Sequence, residues 1–200
     1  MTILSFPNVD PQAAEFKLSS NTQIFTSPLN RSTQTTELPG AMWTANLTFS
    51  DLTREKAALL EVFLVRLRGQ AGRFYLHDHS HPTSFGVATG TPVVYGAGQT
   101  GASLITAGWT PSTAGILKAR DYFQVGNKLR MLVEDASSDV NGRATLVFDR
   151  PLTSAPTNSG ALVVVKPCAV MMLSGPDVGW TTKPPVQKSF TISCFEDIIA

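Results

Sequence analysis

The sequence predicts a mainly β protein: a β-sandwich-like domain with one α-helix, carrying an inserted small β-barrel-like module. Three observations predict it. Short runs of alternating apolar and polar residues recur along the 200-residue chain, and turn-forming residues separate them. Only one stretch, REKAALLEVFLVRLRG from Arg54 to Gly69, has helical length and composition. A hydrophobic content of 42% permits a sizeable core.

The first fifty residues read as strands. Phe16–Leu18, Gln23–Ser27 and Arg31–Glu37 are short candidates. From Trp43 to Phe49 the run WTANLTF alternates, which places Trp43, Leu47 and Phe49 on an inner face. Pro28 and Pro39-Gly40 punctuate this region.

Ser50, Asp51 or Thr53 can cap the helix that follows, and Glu55 suits the positive end of its dipole. Arg66 and Arg68 fall in its last turn, with Gly69 as a left-handed terminator. Between Ala57 and Leu67 only Glu61 and Arg66 are polar, so the apolar arc exceeds the roughly 100° stripe of a surface helix. Such a helix is expected to bury one side on its own sheet and a second side elsewhere, with a neighbouring subunit as a candidate.

Arg73–His77 (RFYLH) returns as a strand. Residues 84–103 are rich in Gly, Ala and Thr and read as extended loop, with thin strands at Val93–Tyr95 and Leu104–Thr106. Asp121–Val125, Lys128–Glu134 and Arg143–Asp149 then form a compact antiparallel set. Gly126-Asn127 fits a two-residue hairpin turn, and DASSDVNG at 135–142 supplies side chains that bond their own backbone. Leu162–Lys166, Val170–Leu173 and Lys188–Glu196 complete the strands, with Phe190, Ile192 and Cys194 sharing a face and Pro184-Pro185 as a stiff connector. Because termini tend to join one domain, the expected organisation is a discontinuous β-domain, residues 1–83 and 169–200, with residues 84–168 inserted as the small module.

The segment GWTPSTAGILKARDYFQVG from Gly108, the turn SDVNGRATL, Pro151-Leu152 and the later VGW at Val178–Trp180 carry a resemblance. They resemble a family of small tail proteins of long-tailed bacteriophages and prophages, distal-tail-like in character. The likeness runs from about Leu47 to the C-terminus. It implies a Gly before Asp121, where this chain has Arg120; a turn that requires positive φ is strained there.

Composition excludes several classes. Sixteen basic against fifteen acidic residues leave a net charge of +1, without the basic excess that gripping nucleic acid requires. No apolar span approaches the roughly 18 residues of a transmembrane helix, so membrane insertion is not expected. The start MTILSFPNVDP lacks the basic and apolar regions of a signal peptide. Cys168 and Cys194 lie in strand-like apolar contexts, outside any CxxC pair, and read as free buried thiols.

The sharpest chemical candidate is His77-Asp78-His79-Ser80-His81, which contains all three histidines. On a strand, His77, His79 and His81 project to one face about 6.5–7 Å apart, and three imidazoles with an open position is a catalytic zinc pattern. Against it, Pro82 stops the strand, and residues two apart seldom converge three at a time on one ion. The alternative is a polar strand end and linker. Nucleophilic catalysis has no GxSxG and no separate base. Asp135 and Asp139 sit in turn sequence, where Asp serves the backbone. Gly96–Gly101 (GAGQTG) lacks the GK[ST] ending of a phosphate loop. The aromatics Trp109, Tyr122, Phe123 and Trp180 read either as core or as a sugar-stacking platform, with Trp109 and Tyr122 the glycan contacts in the second case.

No enzyme and no cofactor is therefore expected. The resemblance implies a virion protein of the tail tip, assembled in the host cytoplasm, commonly a hexameric ring joining the tail tube to the hub and fibres. Its partners would be itself, the tail tube protein and the hub or tape-measure proteins. The assembly surfaces expected on that reading are Trp43 and Leu47 on the strand, Leu59, Phe63, Leu64 and Leu67 on the helix, and an N-terminal arm, Met1–Gln12. The alternative is a carbohydrate- or receptor-binding tail accessory module.

Overall fold

A computed structural model describes residues 2–184 and 187–199. Pro185, half of the expected connector, lies outside the described residues. Among the described residues the protein is mainly β, 44% strand against 9% helix, with a single α-helix and several sheets, none of which closes into a barrel. It forms two compact units, residues 2–6 with 74–170 and residues 7–73 with 171–199. The segment 84–168 lies wholly within the first unit. That unit also takes in strand β1 (Ile3–Ser5) and all but the first residue of strand β6 (Arg73–His77), which are neighbours in one sheet.

The second unit is built on β5 (Met42–Leu52), the longest strand. Its alternation holds for Trp43, Ala45, Leu47 and Phe49, all buried; it breaks at Asp51, which has φ 53°, and Leu52 beyond is buried as well. On one edge β2 (Ala13–Ser19) pairs with it antiparallel, from Ala13 opposite Thr48 to Ser19 opposite Met42. On the other edge lies β15 (Gln187–Glu196), whose Phe190, Ile192 and Cys194 are buried as the pattern required. Met171–Leu173 of β13 (Cys168–Leu173) and the short β14 (Thr181–Lys183) also pair with β15.

The helix α1 (Arg54–Leu67) packs on β5 and β15 through Ala57, Leu60, Phe63, Leu64 and Leu67. The spacing of these five is the one-face repeat of a helix. Thr53 is its N-cap residue, in extended conformation and without a side-chain capping bond. Arg68, not Gly69 alone, turns left-handed at the C-terminus (φ 53°), and its N–H bonds to the Val65 carbonyl. Lys188 of β15 pairs with Glu61, so a charged contact fastens the helix to the strand beneath it. The hairpin β3 (Thr22–Thr26) and β4 (Thr33–Glu37) forms a separate two-stranded sheet, and all ten of its strand residues are exposed.

In the first unit the barrel-like module expected for the inserted segment is made of two three-stranded sheets and is not a closed barrel. One runs β11 (Ala144–Val147), β8 (Ser103–Trp109), β7 (Gly90–Val94); the other β10 (Lys128–Met131), β9 (Tyr122–Val125), β12 (Leu162–Val163). Isolated bridges, Val93 with Ala161 and Leu132 with Phe148, are the further pairing between their strands. The bridges fall at the two gaps between the sheets, β7 beside β12 and β10 beside β11, so the six strands are arranged as in a barrel without continuous ladders closing it. Their core is Leu104, Trp109, Ile116, Leu117, Phe123, Leu132, Leu146 and Phe148 with their neighbours. Val125 opposite Lys128 confirms the two-residue turn at Gly126-Asn127, with Gly126 at φ 57°.

Candidate functional site

The histidine segment begins where β6 ends. The His77 and His79 rings stack on each other, centroids 4.5 Å apart, and the Phe6 ring meets His79 edge-on. His81 turns to a different partner: its Nε2 lies 3.0 Å from Oδ1 of Asp121, and the Phe85 ring covers it at 4.4 Å. The structure therefore does not gather His77, His79 and His81 around one point. A sharp turn at Asp78–His81 separates them, held by Asp78 Oδ1 accepting the Ser80 N–H and hydroxyl and by the His81 N–H bonding to the Asp78 carbonyl. Among the described residues no group of three His, Cys, Asp or Glu side chains is placed to hold a metal.

Asp121 is buried and its carboxylate is fully engaged. It accepts the backbone N–H groups of Phe85 (2.7 Å), Gly86 (2.9 Å) and Lys118 (2.8 Å) besides its contact with His81. Burial alone raises its pKa, but the three backbone donors and the imidazole outweigh that, and the net position lies below the ordinary carboxylate value. Next to it the Tyr122 hydroxyl donates to Oδ2 of Asp78 (3.3 Å); burial and that carboxylate drive the phenol well above its usual range. These groups join the loop 78–86 to the start of β9. They make an internal clasp.

The remaining chemical candidates are also structural. Burial pushes the Cys194 thiol up to about 12 and raises Cys168, so both remain protonated near neutral pH; neither is in a disulfide. Asp139 Oδ1 accepts the N–H groups of Asn141 and Arg143, and Asp135 accepts that of Ala119. Gln99 of the GAGQTG loop bonds the Tyr95 and Ile105 carbonyls and the Ile105 N–H, which closes the β7–β8 connection. Trp109 and Tyr122, the glycan contacts of the alternative reading, are both buried. Trp109 Nε1 donates to Thr106 Oγ1 (2.8 Å), and that hydroxyl donates to the Ala144 carbonyl. Burial rules out a stacking platform at these two rings, because a sugar needs a solvent-facing π surface.

Two of the segments that carried the resemblance meet each other. The Trp109 N–H bonds to the Gly142 carbonyl (3.1 Å) and the Ser112 N–H to the Asp139 carbonyl (2.8 Å), so GWTPS and DVNG form one corner. Two of its glycines are required. A Cβ on Gly108 (φ 87°) would lie 2.4 Å from the Thr91 carbonyl oxygen, and one on Gly142 (φ 69°) 2.4 Å from that of Trp109.

The expected assembly surfaces need correction. Trp43, Leu47, Phe63, Leu64 and Leu67 are buried in the second unit, because β5 and α1 present them to each other and to β15. Of the six residues only Leu59 is exposed. The N-terminal arm is partly committed as well: Ile3–Ser5 forms β1 and Val9 is buried. In place of those residues, the outer face of α1 offers Leu59 (54% exposed), Val62 (59%) and Val65 (60%). Three apolar side chains three residues apart make one continuous stripe along the helix. The signal for it was the width of the apolar arc; which half of the arc faces inward had no signal in the sequence.

No family model matches the chain, and no curated protein matches it.

Proposed function

We propose that this chain is a structural subunit of a phage tail tip: a distal-tail-like protein that assembles with copies of itself into a ring, with a hexamer favoured. It would join the tail tube to the hub and tape-measure proteins, be carried in the virion tail, and catalyse no reaction. The observation that carries the proposal is the outer stripe of α1, Leu59, Val62 and Val65. A solitary helix that already buries a full face gains nothing from a second apolar face unless another surface covers it. The resemblance of the Gly108–Leu152 and Val178–Trp180 segments supplies the tail-tip context. The accessory glycan-binding reading loses its support with the burial of Trp109 and Tyr122.

Electron micrographs of the purified chain, alone and with the tail tube protein of the same phage, test it. Closed rings with a lumen wide enough for DNA are expected. A monodisperse monomer under both conditions would overturn the proposal.

A further inference from the structure

The hairpin β3–β4 has no packed face. Adjacent strand residues point to opposite sides, so Ile24 (68% exposed) and Phe25 (65%) put one apolar side chain on each surface, and Leu29 (96%) stands in the turn between the strands. A two-stranded ribbon alone is marginally stable in water. Its order therefore calls for a covering surface, and its own unit carries an uncovered one, the Leu59–Val62–Val65 stripe. Hairpin and stripe are both exposed in the same chain, so they do not cover each other within one copy.

The two surfaces match in size and charge. The stripe spans about 9 Å along the helix axis, and Thr22–Thr26 about 13 Å along the strand. Ile24 lies opposite Thr35, and Thr22 opposite Glu37, so Ile24 and Glu37 share a face of the hairpin. On α1, Arg66 follows Val62 by four residues and is exposed, which puts it at the C-terminal end of the stripe. Glu61 is paired with Lys188, and Glu55, exposed and four residues before Leu59, marks the opposite, acidic end of the stripe. Ile24 seated between Leu59 and Val62, with the hairpin turned so that Glu37 points to the C-terminal end of α1, brings Glu37 to Arg66 and away from Glu55.

We infer that the β3–β4 hairpin of one copy docks on the outer face of α1 of the next copy, Ile24 against Leu59 and Val62 with Glu37 towards Arg66. Different patches on the two partners make the contact heterologous, and a heterologous contact whose rotation closes produces a ring. The inference rests on the ring reading proposed above.

The test is a double variant, Ile24→Cys with Val62→Cys, in a Cys168→Ser background, oxidised and run on a non-reducing gel. Both positions are exposed, so thermal unfolding should match the unaltered chain. A ladder of covalent multimers is expected from the double variant and none from either single variant. Val62→Asp should reduce the ring fraction in micrographs at least tenfold. Rings from the double variant without a ladder, a ladder from either single variant, or rings retained by Val62→Asp would overturn the inference and leave the ring reading standing. No ring from the unaltered chain, with or without tube protein, would overturn both.

Discussion

His81 and Asp121 form a buried pair, ring Nε2 to carboxylate Oδ1 at 3.0 Å, and the same carboxylate also holds the backbone N–H groups of Phe85, Gly86 and Lys118. Forty residues of sequence separate the two. The pair turns what reads as a metal-ligand cluster into a clasp between the loop after β6 and the strand β9.

Asp121→Asn should therefore destabilise the protein strongly. The amide places an NH2 group where backbone donors converge, and leaving buried donors unsatisfied costs about 1–3 kcal/mol each. A loss of about 3 kcal/mol in denaturant unfolding is expected. The pH dependence has a definite sign. The folded pKa of Asp121 is lowered, so its contribution is present above the unfolded value, near pH 4, and is lost as pH falls through the lower folded value. Unfolding free energy measured from pH 5 down to pH 2 should fall less steeply for Asp121→Asn than for the unaltered chain.

Gly108→Ala and Gly98→Ala separate crowding from conformation. Both glycines have positive φ, 87° and 71°, but Gly98 has open space where a Cβ would go, whereas at Gly108 it meets the Thr91 carbonyl oxygen at 2.4 Å. Gly98→Ala should cost about 1 kcal/mol from the left-handed backbone alone. Gly108→Ala should cost at least about 3 kcal/mol, because the β7–β8 pairing must also shift. Thermal unfolding of the two variants side by side measures the difference.

Arg120 occupies the left-handed region at φ 80°, at the position where the phage-tail resemblance implied Gly. Arg120→Gly should raise stability by about 0.5–1 kcal/mol, the relief of strain exceeding the added freedom of the unfolded chain. An unchanged or lowered melting temperature would show that the corner tolerates a side chain without strain.

The two faces of α1 should respond in opposite ways. Leu64→Ala removes a buried side chain and should cost about 2–5 kcal/mol of unfolding free energy. Val62→Ala should change the stability of the monomer by no more than about 0.5 kcal/mol. Urea titration of both variants at a concentration too low for assembly provides the comparison.

Much of the fold was legible. Period-two alternation in WTANLTF and SFTISCF placed β5 and β15 and identified which of their residues face inward, because a strand has only two faces and burial selects the apolar one. RFYLH was a strand with the expected bounds, and the single helix was identified by its length and lack of breakers. The short strands β1 and β14 were not seen. Three residues carry no period, and their pairing is settled by neighbours remote in sequence. The candidate site was less legible: residues two apart on HDHSH looked like one face, and a turn held by Asp78 sent His81 elsewhere.

The sequence by itself determined the mainly β class, the location of the helix, the turn at Gly126-Asn127 and the near-neutral charge, because these follow from local periodicity, backbone conformation and composition. Tertiary structure alone decided which apolar residues are core and which are surface. Trp43, Phe63 and Trp109 went inside, while Leu59, Val62 and Ile24 remained outside. Hydrophobicity is a property of the residue, but burial depends on whether another element lies against it, and that is set by contacts distant in the chain.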